Sequence, residues 1–172
     1  MSLIGAAFLD RPQNAATVDV ADVRAAFEPN FFGLIQTTTT FLPLLRKSSQ
    51  AVILNVTTDM ASTTHQARPD SSLHVVAYNT SQTAANSYTV ALAHELRQER
   101  IKVNCVTPGF TSTKLNSYGE GGKSPADGAK MLLPWALLGA DGPTGMIGCL
   151  DVFEVCRDIF HISSRTVHWS RR

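Results

Sequence analysis

The stretch AVILNV, from Ala51 to Val56, constrains the fold of this chain more than any other. It is an apolar, β-branched run of strand length with polar clusters on both sides, and it lacks the alternation of a half-solvated strand. Such a run suits a strand covered on both faces, as in a parallel sheet whose crossovers are helices. A second run, Ile101 to Val106, is stopped by Pro108 and Gly109. Between them, Tyr78 to Arg100 is alanine-rich and places Ala77, Ala84, Ala85, Tyr88, Leu92 and Leu96 at helical spacing. Its small residues let a neighbouring helix approach closely. Strand, long helix, strand predicts a right-handed crossover in a doubly wound, Rossmann-like α/β sheet.

The flanks extend this pattern. Val23, Phe27, Phe31, Leu34, Ile35, Phe41 and Leu45 predict a short helix from about Asp19 and then a long one, with Pro29 and Pro43 as interruptions. Residues Thr57 to Ser72 have no period and read as a loop, and a loop this long in a compact domain is usually functional. Beyond Gly109 the chain is glycine-rich around Tyr118 to Lys123. A helix is then predicted from Ser124 to Ala140, with Ser124 as N-cap and Pro125 at its first position. A flexible loop followed by an amphipathic helix suits a substrate lid.

Length and composition exclude several classes. With 172 residues, 44% hydrophobic and 17% charged, the chain supports one core, so residues 1–172 are expected to form a single domain. A net charge of +1 with both signs dispersed argues against a nucleic-acid partner. Cys105, Cys149 and Cys156 fit neither a disulfide framework nor a zinc spacing, and suit a reducing compartment. His65, His74, His94, His161 and His168 show no ligand spacing, so no metal is expected. No apolar run approaches the roughly 20 residues of a membrane span, and the start lacks a signal peptide's basic region; a soluble cytoplasmic protein is expected.

The segment AYNTSQTAANSYTVALAHELRQERIKVNCVTPGFTSTKLN, Ala77 to Asn116, together with NFFG at Asn30 and NVTT at Asn55, closely resembles the short-chain dehydrogenase/reductase family. Four segments occur in the family's order on the expected elements, and the likeness runs from about Val18 to Gly145 (18–145). The resemblance implies an oxidoreductase that moves hydride between a nicotinamide and a small carbonyl or alcohol. Tyr78 stands at the position of the catalytic tyrosine, and a half-buried tyrosine at a helix start is the simpler alternative. Thr58 matches the serine that polarises the carbonyl, with Ser62 as fallback, although Thr57 and Thr58 could equally cap the strand end. Asn30 matches the asparagine that anchors a proton-relay water. Thr111 and Thr113 match positions that meet the nicotinamide end of the cofactor. The family's dimers and tetramers imply a homo-oligomer through the long helices, where Tyr88, Leu92 and Leu96 are core or interface residues.

Three departures stand out. The family places a lysine four residues after the tyrosine, one helical turn away, where its charge lowers the phenol pKa and its ammonium binds ribose; here that position is Gln82. Glutamine keeps a hydrogen bond to ribose but supplies no cation, and a free phenol with a pKa of about 10 is poorly poised for acid–base work. The glycine-rich phosphate turn that opens relatives has no counterpart before Asn30, and only Asn14-Ala15-Ala16 echoes a later family motif, so a sheet short of its first βαβ portion is expected. The stretch from Ile147 within the expected divergent tail (146–172) looks unrelated, and a gene-model boundary would account for both ends.

The chain is thus read as a reductase or dehydrogenase using NADP(H), with NAD the alternative, similar to fungal members serving secondary metabolism. The rival reading is an inactive remnant acting, if at all, by pairing with an intact homologue. Gln82→Lys alone is expected to restore little turnover, because charge at this position does not replace a phosphate-binding turn. Strong turnover from that single change in a steady-state assay would overturn the expectation.

Overall fold

The computed structural model describes Ala7 and residues 12–71 and 74–148. Its framework is a parallel sheet of β1 (Ala51–Val56), β2 (Ile101–Val106) and the short β3 (Ile147–Gly148), in the order β1-β2-β3. β1 and β2 pair in register from Ala51 opposite Ile101 to Val56 opposite Val106. Both strands are buried through consecutive positions, as a strand covered on both faces must be.

The two faces bury different helices. Ala51, Ile53, Ile101 and Val103 pack against Leu92, Ala93 and Leu96. Leu54 and Val106 pack on the other face against Leu132 and Trp135. The first group lies under α4 (Val76–Glu95) with Leu42 and Leu45 of α2 (Gly33–Leu45) alongside; the second lies under α5 (Pro125–Ala136). Helices on both faces of a parallel sheet make the chain α/β and Rossmann-like. Leu92 and Leu96 are core residues, and Tyr88 packs partly buried against the same cluster.

The helices start and stop for local reasons. Asp19 caps α1 (Val20–Phe27) by accepting from the Ala21 N–H, and Ser124 caps α5 through the Asp127 N–H, with Pro125 in the first turn. α4 begins two residues before Tyr78 and passes into a 3₁₀ turn, Leu96–Glu99. Arg100 then reverses the chain at φ 59° directly before β2. Arg46, at the C-cap of α2, donates to both carboxylate oxygens of Glu99 at 2.6 and 2.8 Å, tying α2 to that turn.

Three expectations need correction, and one short strand is added. Pro43 does not interrupt its helix but lies inside α2, two residues from the end, where few hydrogen bonds remain to be lost. The expected loop after β1 contains a 3₁₀ turn, Asp59–Ala61, and a short helix α3 (Thr63–Gln66), started by side-chain caps from Thr58 and Ser62. The helix expected to Ala140 ends at Ala136. Ile147 and Gly148, placed by sequence in a divergent tail, pair with Cys105 and Val106. Asn104 prepares this pairing by donating to Pro143 O and accepting from Met146 N–H, each at 3.0 Å. Apart from residues 146–148, the expected tail lies outside the described residues, with Cys149, Cys156, His161 and His168.

Leu96 is fully buried and Leu137 is 76% exposed. Leu96→Ala should cost about 2–5 kcal/mol through lost burial and a residual cavity, whereas Leu137→Ala should stay within about 0.5 kcal/mol. Urea unfolding midpoints of the two variants check the contrast.

Candidate active site

Parallel strands of this kind expose their carboxyl ends to ligands. β1 ends at Val56, and Thr57 and Thr58 follow it directly. The crossover then returns as α4, so Tyr78, in its first turn, comes back to the same end of the sheet. There the Tyr78 phenol comes beside the Thr58 hydroxyl, which favours the ionised phenol. Thr58 also accepts from the Met60 N–H at 3.3 Å, so one side chain both caps the 3₁₀ turn and meets the phenol. Ser62 instead accepts from the His65 N–H as the cap of α3.

The phenol is held above its ordinary range. Burial raises its pKa, the Thr58 hydroxyl acts in the opposite direction, and the Asp59 charge raises it further. Gln82 stands one turn along α4, and Asn86 a further turn along. Both are buried and line a polar pocket with Asn30, Asn55, Thr57 and Thr89. Thr57 Oγ1 and Asn86 Oδ1 have no hydrogen-bond partner among the described residues. Among the described residues, no basic side chain lines this pocket.

Asn30 reaches the site from a π-helical turn, Glu28–Phe32, between α1 and α2. Such turns insert an extra residue into a helix and are frequent at functional sites. Pro29 supplies no N–H, and Gly33 N–H bonds back to Glu28 O, where a side chain at Gly33 would crowd that oxygen at 3.2 Å. Asn30 Nδ2 donates to Ser81 Oγ at 2.9 Å, and Ser81 donates to Tyr78 O at 2.9 Å. Asn30 is therefore coupled to the tyrosine helix through the wholly buried Ser81.

The structure thus brings together Tyr78, Thr58, Asn30 and Gln82. Thr111 and Thr113 spend their hydroxyls locally. Thr111 donates to Gly109 O at 3.0 Å and lies under α5, where a side chain at Gly128 would meet it at 2.8 Å. Thr113 caps the turn Lys114–Asn116 in a reciprocal box with Asn116. His65, His74 and His94 are exposed, and no cluster of metal-binding side chains occurs among the described residues.

Sequence reasoning missed Gln13. Its buried side chain accepts from the N–H groups of Ala77 and Tyr78 at 3.1 and 3.3 Å and donates to Ala7 O at 2.7 Å. No local pattern announces a cap supplied from 65 positions away. The inward face carrying Asn86 was legible in principle, because Tyr78, Gln82 and Asn86 follow one another at four-residue spacing.

The described elements form an α/β fold with Tyr78 beside Thr58 at the carboxyl ends of its parallel strands. The short chain dehydrogenase family model matches residues 2–121, and the chain belongs to that family. The short-chain dehydrogenase anuI of Penicillium roqueforti is 32% identical over 145 residues, covering 80% of this chain and 57% of that relative. The chain therefore spans little more than half of this relative's length. Among solved structures, a 3-ketoacyl-(acyl-carrier-protein) reductase from Brucella melitensis, complexed with NADH, superposes with a TM-score of 0.69 at 25% identity over 86% of this chain and 62% of that one. A short chain dehydrogenase from Shigella flexneri, complexed with NADP, shares the fold at a TM-score of 0.67 and 23% identity, over 78% of this chain and 56% of that one.

Thr58→Ala removes the hydroxyl whose influence opposes the upward shift, so Tyr78 should ionise at still higher pH. The folded value lies above the unfolded one, so this contribution to stability is whole below the ordinary phenol value of 10.0 and is lost as pH rises through the folded value. Tyrosinate absorbance that disappears in Tyr78→Phe reports the titration. A downward move in Thr58→Ala would contradict the assigned contact.

Proposed function

We propose that this chain carries the proton-transfer machinery of an NAD(P)-dependent carbonyl reductase or alcohol dehydrogenase acting on a small molecule. The observation that carries the reading is the placement of Tyr78, in the first turn of α4, beside Thr58, directly after β1, at the carboxyl end of the strand. The adjoining pocket suits the uncharged ribose end of a nicotinamide nucleotide. Gln82 lines it with an amide, and Asn86 Oδ1 and Thr57 Oγ1 are buried polar atoms in need of partners. NADP(H) is the first choice and NAD the second, since solved structures of this fold hold either.

When bound, the nicotinamide supplies or accepts hydride at the carbinol carbon. The Thr58 hydroxyl donates to the substrate oxygen and orients it. Tyr78 Oη gives that oxygen its proton during reduction and takes it back during oxidation, a role worth typically 10²–10⁴-fold in rate. Asn30, held through Ser81, keeps the tyrosine turn in place. Gln82 binds ribose without stabilising the phenolate, so proton transfer at Tyr78 is weakened in both directions. Thr111 and Thr113 border the nicotinamide end. A role in fungal secondary metabolism is part of this reading, and the similarity to a Penicillium roqueforti short-chain dehydrogenase supports its fungal side. Exposed Phe41 and Leu44 on α2 support a homo-oligomer built on the long helices, and a cytoplasmic setting is part of the same reading. We read residues 1–172 as one domain.

The absence of a cation from the pocket and the raised phenol favour a second reading, a catalytically silent family member that acts by pairing with an intact homologue. Titration with NADPH and, separately, NADH separates the two. Ligand at 100 times Kd stabilises the folded state by about 2.7 kcal/mol, or roughly 5–10 °C for a chain of this size. A saturable rise in Tm supports the enzyme; no rise at millimolar cofactor in a folded sample supports the silent reading.

A further inference from the structure

The first four N–H groups of a helix have no partner within it, and a buried helix start must find acceptors elsewhere. At α4 the residue preceding the helix, Val75, contributes no side-chain cap. Three of the four groups are met by one distant residue. Val76 N–H donates to Gln13 O at 3.2 Å, and Ala77 and Tyr78 N–H both donate to Gln13 Oε1. Asn79 N–H, beyond these four, makes the first bond of the helix's own ladder, to Val75 O at 2.8 Å. The other end of the same amide donates to Ala7 O. A carboxylate would meet the helix but not Ala7, and an aliphatic chain would meet neither. Gln13 itself is anchored, because Thr17 and Val18 N–H fold back on Asn14 O just before the capped start of α1.

We infer that Gln13 is a positioning residue for Tyr78: its amide fixes the first turn of α4 so that the phenol meets Thr58, and it couples that turn to the backbone at Ala7. The inference rests on the reading of Tyr78 as the proton-transfer group. It does not require that this chain turn over, because the placement of the turn can be measured directly. The geometry makes the effect local. Ala77 and Tyr78 lose their acceptor if the amide is removed, whereas the rest of α4 is held by its own ladder and by the packing of Leu92, Ala93 and Leu96 on the sheet.

The test is amide hydrogen exchange by NMR on the full chain, comparing the parent with Gln13→Leu and Gln13→Glu. In Gln13→Leu the Ala77 and Tyr78 amides should exchange about tenfold faster, the scale expected for losing one or two net hydrogen bonds, while Leu92 and Ala93 keep their protection. Gln13→Glu keeps the acceptor and should restore protection at both amides. Where NAD(P)H turnover is measurable, Gln13→Leu should lower kcat about tenfold at unchanged KM for cofactor, and Gln13→Glu should recover most of it. Unchanged exchange at Ala77 and Tyr78, uniform loss along α4, or no recovery in Gln13→Glu would each overturn the inference. If Gln13→Leu does not fold, Gln13→Asn decides: an amide drawn back by one methylene should expose the same two groups selectively, and full protection would overturn the inference. A parent without turnover fails the oxidoreductase reading alone, since the exchange result stands independently.

Discussion

The parallel pairing of β1 with β2 is the constraint on which everything else depends. Two parallel neighbours cannot be joined by a tight turn, so the chain must leave the carboxyl end of β1, cross one face and re-enter at the start of β2. That crossover is α4, and its first turn necessarily returns to the end of the sheet that β1 has just left. Thr58 and Tyr78 are twenty positions apart in sequence yet adjacent in space for this reason alone. Burial of both faces keeps the arrangement in register, because a one-residue slip would exchange the sets facing α4 and α5.

How much of this was legible follows from the range of each interaction. β1 and β2 were read to the residue, since both are continuous apolar runs whose ends are marked by Thr57 and Pro108. The cap at Ser124 acts over three residues and was equally visible, as was a helix start near Asp19. β3 was not, because two residues, one of them Gly148, carry no periodicity; the pairing is prepared by Asn104, some forty positions away. The short helices after β1 escaped for a related reason. Thr58 and Ser62 can stabilise either a turn or a helix start, and only the buried setting of Ala61 decides between them. The candidate site divides in the same way. Tyr78, Gln82 and Thr58 were found through family motifs, whereas Gln13 is a long-range cap with no motif of its own.

Asn30 shows how local strain can serve a distant contact. Pro29 would disturb a regular helix by removing a donor, and here the helix yields by widening into a π-helical turn rather than breaking. The extra residue changes the phase between α1 and α2. Ala26 can then stay buried on one side of the turn and Leu34 on the other, while Asn30 points inward to Ser81. The polar residue is paid for by a complete chain of hydrogen bonds ending on the Tyr78 carbonyl.

The charge balance of the site bears on what it can do. A phenol transfers a proton readily only when its ionised form is stabilised, and each influence on Tyr78 except the Thr58 hydroxyl works against that form. The pocket one turn below is built from amides and hydroxyls, which can bind a ribose but cannot offset a phenolate. Proton donation and proton abstraction at this tyrosine both pass through a phenolate that burial and Asp59 disfavour and that Gln82, being neutral, leaves uncompensated. Gln82 leaves the hydrogen-bonded placement of the α4 start untouched, since that is set by Gln13 and Ser81, which is why the position of Tyr78 and its chemistry are separate questions in this chain.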